Sequence, residues 1–415
     1  MDDPRMDVRS AAADRLPSGH AGAELVSAAQ ALAPVIAAGA VERDRERIVP
    51  VDVFREIRAA GIQAARVPRE FGGPEASFAE LADIMLLLAK ADPNVGQMLQ
   101  PHFVLLDWLR IDGSAAQQKR YLGEVARGRI ITNAFAERGT KRVGDARTRL
   151  RRSGTQYRLD GTKFYSTGSL IADALYVLAL TEDDTAALAI VPKDRAGVEI
   201  IDDWDGMGQR TTASGTTRLT GVMLDTDEVV LLPDLGKRRT FIGAAAQITH
   251  AAIDAGIALA GLDDAAEYAR TQARPVPESG VSRQADDPYV LHAIGEMSVI
   301  AHAAEAMVRR GAAILDAAAA QFLADPEPRA ELDRLLAEAS IAVAEAKAAA
   351  TAAALKLGTM VFAVGGASAT LRRHGLDRHW RNARTHTTHD PVDYKYRAIG
   401  EYRLNDRFPP ITTKI

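Results

Sequence analysis

Four of the nine histidines, His374, His379, His386 and His389, crowd together near the carboxyl end, in a region centred on RHWRNARTHTTHDPVDYKY. His386 and His389 are three apart, so they share one face of a helical turn. Pro391 should end that helix. Asp390 stands next to His389 and could orient a ring or act as a carboxylate itself. An active-site role is one reading of this cluster. A helix-end cluster complementing the dipole explains the same spacing as well. Two His and one Asp would supply three metal ligands, but no HExxH-type spacing is present, and no metal is expected.

A second candidate is Gly161-Thr-Lys-Phe-Tyr-Ser166-Thr167-Gly168-Ser169, dense in hydroxyls at the end of a β-like run. Hydroxyls there can hydrogen-bond a ligand ring, and glycine lets backbone approach it closely. A turn with Ser/Thr caps is the plainer explanation. A third is Trp204-Asp-Gly-Met-Gly-Gln-Arg210-Thr-Thr-Ala-Ser214-Gly215, with hydroxyls, an arginine and one of three tryptophans. It reads equally as a loop packing its tryptophan. His102 is alone in the apolar LQPHFVLLDW, where a satisfied core histidine is the commoner case. Gly365-Gly366 in VFAVGGASA breaks a helix and is weak evidence for phosphate binding.

The elements that position these residues follow from periodicity. Ala23–Val41, Val51–Ala60 (ending at Gly61), Phe78–Lys90 and about Gln100–Leu122, broken at Asp112-Gly113, read as helices. From Ile130 the runs ITNAFAERG, YRLDGTKFYSTG, ALYVLAL, AALAIVP, VEIIDDW and TTRLTGVMLDTDEVV predict a small antiparallel β domain. Asp160-Gly161 between two runs is its best hairpin signal. Phe241–Arg270, Ala285–Ala324 and Ala330–Leu357 predict long Ala-rich helices in an antiparallel bundle. The expected division is 1–20 disordered, 21–129 helical, 130–235 the β domain, and 236–415 a helical bundle with a His-rich tail.

Composition narrows the classes. The 415 residues are 47% hydrophobic and 26% charged, as in globular proteins. Lys plus Arg number 51 and Asp plus Glu 55, a formal charge of −4, which does not fit a nucleic-acid footprint. Cysteine is absent, so any redox chemistry needs an external cofactor. MDDPRMDVRSAAADRLPSGH has no apolar core of a secretory signal, and a cytoplasmic protein is expected. Phe241–Leu262 is strongly apolar but carries Gln247, His250 and Asp254 at three-to-four spacing, costly in lipid, so a buried helix and no membrane span is expected.

From about residue 25 to 410 these segments resemble the acyl-CoA dehydrogenase superfamily, whose layout is helical domain, β domain, then four-helix domain. VPREFGG resembles the family's segment after the early helices, and ITNAFAERGT stands where its flavin-contacting strand lies. DGTKFYSTGS resembles its Gly-x-Lys-x-Trp-Ile-Thr motif, with Tyr165 for the Trp and Thr167 for the Thr. YARTQARP keeps the arginine of an Arg-x-x-Phe-Gly segment as Arg270 but has Ala273 for the Phe. VFAVGGA keeps Gly365 and Gly366 but has Phe362 where Gln is usual. The family's catalytic Glu lies in Tyr-Glu-Gly-Thr; the matching stretch here is Thr388-His389-Asp390-Pro391. These departures, with RTHTTHDPVDYKYRAIGEY and RPVPESGVSRQADDPYVLHAIGE, resemble the flavin-dependent monooxygenase branch that includes dibenzothiophene monooxygenase and the sulfur-acquisition oxidoreductases.

The resemblance implies a two-component enzyme. A separate flavin reductase supplies reduced FMN, O₂ adds at flavin C4a to give a hydroperoxide, and one oxygen atom passes to a small hydrophobic substrate, organosulfur compounds being one class. By the same carry-over, Ser166 and His389 flank that adduct, with His102 nearby. Asn133, Thr167, Trp204, Arg210 and Ser214 contact the flavin. Arg270 and Arg274 reach its phosphate across a subunit interface of a homotetramer. Whether Ser166, Thr167 or Ser169 faces the flavin stays open, as do S-, N- and C-oxygenation. Such an adduct must be kept from water and held by neutral donors, which Ser and His supply. The alternative is an FAD-dependent acyl-CoA dehydrogenase with Asp390 as its base; a third reading is a flavin-free scaffold.

Overall fold

The computed structural model of the chain describes residues 21–142 and 144–415. The expectation of disorder over 1–20 lies outside the described residues.

Helices come first: α1 (Ala21–Ala38), α2 (Ala40–Glu46), α3 (Val51–Ala59), α4 (Phe78–Ala91), α5 (Pro93–Asp112) and α6 (Ala115–Ala126). Local chemistry sets their ends. Ser77 and Glu80 form a reciprocal capping box on α4, and Ser114 and Gln117 form one on α6. Asp92 alone joins α4 to α5; its carboxylate accepts from the Asn94 N–H, and Pro93 sits at the first helical position, where a missing N–H costs nothing. Helix α5 therefore starts earlier than the sequence pattern indicates, and Pro101 lies inside it. The break at Gly113 falls where expected.

The middle segment is one sheet: β1 (Ile131–Ala134), β2 (Arg149–Ser153), β3 (Gln156–Lys163), β4 (Ala174–Leu180), β5 (Ala186–Pro192), β6 (Val198–Ile201), β7 (Thr216–Leu224) and β8 (Val229–Leu231). Its order is β6-β7-β3-β2-β4-β5-β8, with β1 also on β4. Two expectations are corrected. The sheet is mixed, because β1 runs parallel to β4, pairing Ile131 with Ala174. Asp160-Gly161 is no hairpin turn: it lies within β3 at a register shift against β7. The Asp160 carboxylate accepts from the Gly221 N–H, and a Cβ on Gly161 would lie 2.2 Å from Thr148 Oγ1. Close packing, not a turn, asks for that glycine. The real turn joins β2 to β3 at Gly154, with φ +63°.

The bundle follows: α7 (Ile242–Thr271), α8 (Pro288–Ala324), α9 (Ala330–Met360), α10 (Asp377–Thr387) and α11 (Val392–Asn405). One core spans the first helices and the bundle, and a second fills the sheet. Among the described residues α7 is long and apolar enough to cross a membrane, yet its apolar stretch is wholly covered by protein. It is buried on all sides because it packs against α4 and α5 as well as α8 and α9. At the α4 crossing a Cβ on Gly256 would lie 2.8 Å from the Lys90 nitrogen, so only glycine admits the contact. Helix α7 thus carries Gln247, His250 and Asp254 into the seam between domains.

Candidate active site

Two loops of the sheet domain meet the helices at one place. The segment after β3 turns at Tyr165, whose φ of +57° is a left-handed conformation rare for a bulky residue. That turn brings Ser166 inward. The loop between β6 and β7 is pinned from three sides. The Gln209 N–H donates to Asn382 Oδ1 on α10, the Thr211 N–H to Asn94 Oδ1 on α5, and Arg210 Nε to the Asp44 carbonyl on α2. Gly208 packs on α10 so tightly that a Cβ would lie 2.0 Å from the Arg381 oxygen.

The hydroxyls here are not equivalent. Thr212 Oγ1 donates to the Gln209 carbonyl at 2.9 Å, Ser214 Oγ lies 2.8 Å from Thr212 Oγ1, and Thr167 Oγ1 lies 2.9 Å from Ser214 Oγ. Each hydroxyl has one proton, so the chain runs in one direction: Thr167 to Ser214 to Thr212 to the carbonyl. Ser169 donates to the Ala213 carbonyl. Among the described residues Ser166 Oγ, fully buried, has no partner. Of the three hydroxyls left open by the sequence, only Ser166 keeps its proton uncommitted.

Other buried polar atoms around these loops also lack partners among the described residues: Asn133 Oδ1 on β1, Thr211 Oγ1 and both ends of the Gln209 amide. A buried polar group left unpaired costs about 1–3 kcal/mol. A flavin ring edge presents alternating acceptors and a donor, and it would satisfy such a set. Trp204 donates its indole N–H to the Gln209 carbonyl and meets Tyr165 edge-on at 6.0 Å. It braces the loop from outside. Arg210 is likewise committed to the backbone of α2.

His102 is corrected. It is completely buried; its Nδ1 accepts from the Ile131 N–H at 3.1 Å, and its Nε2 lies 2.7 Å from the Gln63 carbonyl. Burial pushes it down to about 4, so it is neutral and both ring nitrogens are used. It ties α5 to β1 and offers no nitrogen to a substrate.

His389 lies half exposed just after α10, with Nδ1 3.3 Å from Asp390 Oδ2. Its ring rests on His250 of α7, centroids 4.4 Å apart. Behind it runs a buried polar network. His250 Nδ1 is 3.1 Å from His386 Nε2, and His386 Nδ1 is 2.5 Å from Asp254 Oδ1. Asp254 Oδ2 takes Lys347 Nζ at 2.5 Å and Thr351 Oγ1 at 2.8 Å, both from α9. Burial alone would raise the Asp254 carboxyl, but Lys347 and His386 hold it well below the usual range. Burial keeps His250 and His386 below the ordinary imidazole value.

Asp390 is not an open base. It is 1% exposed, accepts from Gln247 Nε2 at 2.8 Å, and has Lys414 Nζ at 3.6 Å and Lys395 Nζ at 4.0 Å. Burial opposes its charge, but His389 and Lys395 hold it far below the usual carboxylate range. That removes the residue on which a dehydrogenase reading depended.

The distal residues take other places within a single chain. Arg270, exposed near the end of α7, pairs with Glu267 of its own helix, and Arg274 follows in the loop. The glycine pair has a packing cause: a Cβ on Gly365 would lie 2.5 Å from the Tyr268 ring, and Gly366 has φ +59°. Neither observation brings them to the hydroxyl loops.

Sequence reasoning missed the partners of His389. Gln247, His250 and Asp254 were visible as polar interruptions of an apolar helix, and that was the signal. Their partners Lys347 and Gln97, the latter 3.1 Å from His386 Nε2, lie on other helices.

Comparison with known proteins adds the following. The family model described as Acyl-CoA dehydrogenase, N-terminal domain, matches residues 25–129, and that described as Acyl-CoA dehydrogenase, C-terminal domain, matches 248–394. Dibenzothiophene monooxygenase of Rhodococcus erythropolis is 34% identical over 409 residues, 95% of this chain and 96% of its own. The probable FMNH2-dependent monooxygenase SfnC of Pseudomonas putida is 30% identical over 391 residues, 92% of this chain and 95% of its own. The crystal structure of FMN-bound TdsC from Paenibacillus sp. A11-2 superposes with a TM-score of 0.87 at 30% identity, covering 94% of this chain and 100% of that one.

Proposed function

The chain belongs to the acyl-CoA dehydrogenase superfamily and is a flavin-dependent monooxygenase using reduced FMN, and on that footing we propose that it oxygenates a small hydrophobic organosulfur compound. The substrate class rests on the relatives' names. The site roles rest on one observation: Ser166 carries a buried, unpaired hydroxyl among neighbours whose protons are already committed.

Reduced FMN, when bound, supplies the electrons that activate O₂. The chain's residues have three tasks. Ser166 Oγ and Asn133 Oδ1 would offer a neutral donor and an acceptor to the edge of a bound flavin. Thr167, Ser214 and Thr212 form a rigid rail that keeps Ser166 from turning to a neighbour. His389 stands at the solvent side and delivers a proton at its imidazole as oxygen transfer completes. Asp390 and His250 fix that ring.

A separate flavin reductase delivers reduced FMN, in our reading by diffusion. We further assign the protein to the cytoplasm and to a homotetramer, in which Arg270 and Arg274 reach a neighbouring subunit's flavin phosphate. Exposed Tyr289, Leu291 and Val299 on α8 support such assembly. The test is turnover with reduced FMN, O₂ and dibenzothiophene or a smaller thioether: a sulfoxide supports the reading, and peroxide alone from every sulfur compound removes the substrate class.

A further inference from the structure

Asp254 lies halfway along α7, wholly buried. A buried ion pair such as Asp254 with Lys347 is an expensive way to hold helices together; apolar residues of similar volume do as well or better. Its geometry points to another use. Both carboxylate oxygens are engaged, Oδ2 by Lys347 and Thr351 and Oδ1 by His386 Nδ1. An ionised carboxylate only accepts. His386 must therefore carry its proton on Nδ1. Being neutral, it presents a lone pair at Nε2 to two groups, His250 Nδ1 at 3.1 Å and the Gln97 side-chain amide at 3.1 Å, and this tautomer requires that amide to turn its NH₂ toward the ring. His250 then carries its proton on Nδ1 as well, leaving its own Nε2 bare. One carboxylate dictates the tautomers of two imidazoles in series, and the second is the ring on which His389 rests, tilted 38°.

We propose that Asp254 is a positioning residue for His389: through His386 it locks His250 as the neutral Nδ1–H tautomer, which sets the plane and charge of the surface beneath His389. A neutral ring there lets His389 take and release a proton without a second cation 4.4 Å away. Without the carboxylate, His386 is free to move its proton to Nε2, which would donate to His250 Nδ1 and drive the His250 proton to Nε2. Both rings reverse together, and no proton is gained or lost. The role assigned to His389 rests on the proposed function; the tautomer pair does not.

The test uses the full chain without flavin. Nitrogen-15 NMR of the imidazoles, assigned with His250→Gln and His386→Gln, should show both rings protonated on Nδ1 in the natural protein. An Nε2–H tautomer at either ring overturns the proposal with no variant needed. Asp254→Asn is made together with Lys347→Met, so that no buried ammonium is left unpaired. There an amide N–H can face His386 Nδ1, and both rings should reverse. In turnover the same variant should lose about tenfold in kcat with KM unchanged, the lost product returning as H₂O₂. Reversed tautomers with unchanged product yield would overturn the role toward His389, as would unchanged tautomers in the folded variant. Thr351→Val, which removes only a hydroxyl, should keep both tautomers. If the natural protein makes no oxygenated product at all, the proposed function fails while the tautomer result still stands or falls by itself.

Discussion

The ring of His389, half open to solvent, lies on the buried ring of His250 with centroids 4.4 Å apart. One imidazole is open to solvent; the other belongs to the bundle core. Replacing His389 by Phe keeps the stacked ring and removes the proton. Product formation should fall by roughly 10²–10⁴, the range for a lost general acid. Flavin reoxidation should continue, giving H₂O₂, and the melting temperature should stay within a degree or two. A product-to-peroxide ratio equal to that of the natural protein would remove His389 from the chemistry.

Ser166 and Ser214 should respond in opposite ways. Ser166→Ala deletes a hydroxyl with no partner among the described residues, so stability should hold or rise, while product yield falls roughly 10²-fold, as for a lost transition-state donor. Ser214→Ala cuts the hydroxyl chain and should cost about 1–2 kcal/mol of stability. Denaturant titration and product assay on both variants make the comparison.

Acid should destabilise the fold through buried neutral imidazoles. His102 ionises near 6.5 when unfolded and at about 4 when folded, so the unfolded chain binds the extra proton between those values. Its contribution is complete above pH 6.5 and is lost as pH falls toward 4, about 3 kcal/mol in all. His250 and His386 are shifted in the same direction and act with the same sign. His102→Gln should flatten the stability curve over that window by about one proton. A curve of unchanged slope would contradict the assignment.

Gly208 sets how closely the hydroxyl loop meets α10. Gly208→Ala places a methyl 2.0 Å from the Arg381 oxygen, so the loop must move. Reduced FMN should then bind at least roughly tenfold more weakly, an order of magnitude that reflects one displaced hydrogen-bonding loop. Fluorescence titration under anaerobic conditions reads it, and unchanged affinity would place the flavin elsewhere.

Much of this was legible in the chain. Helix periodicity located the long helices, because an amphipathic or wholly buried helix leaves a regular apolar trace. Strand β2, Arg149–Ser153, left none: it is mostly exposed and reads RLRRS. Asp160-Gly161 looked like a turn because glycine signals permissive backbone, while here it answers a steric demand from Thr148. Ser166 could not be told from Thr167 or Ser169 without knowing that Ser214 and Ala213 take up the protons of the latter two. The His102 role was overread for a related reason: its two backbone partners, Gln63 and Ile131, are remote in sequence.

The most direct test of the central claim is a single-turnover reaction of the protein with reduced FMN, ¹⁸O₂ and a thioether substrate, followed by mass analysis of the product. The account predicts one ¹⁸O atom in a sulfoxide and none from solvent water. Unlabelled sulfur compound with all the oxygen recovered as hydrogen peroxide would contradict it.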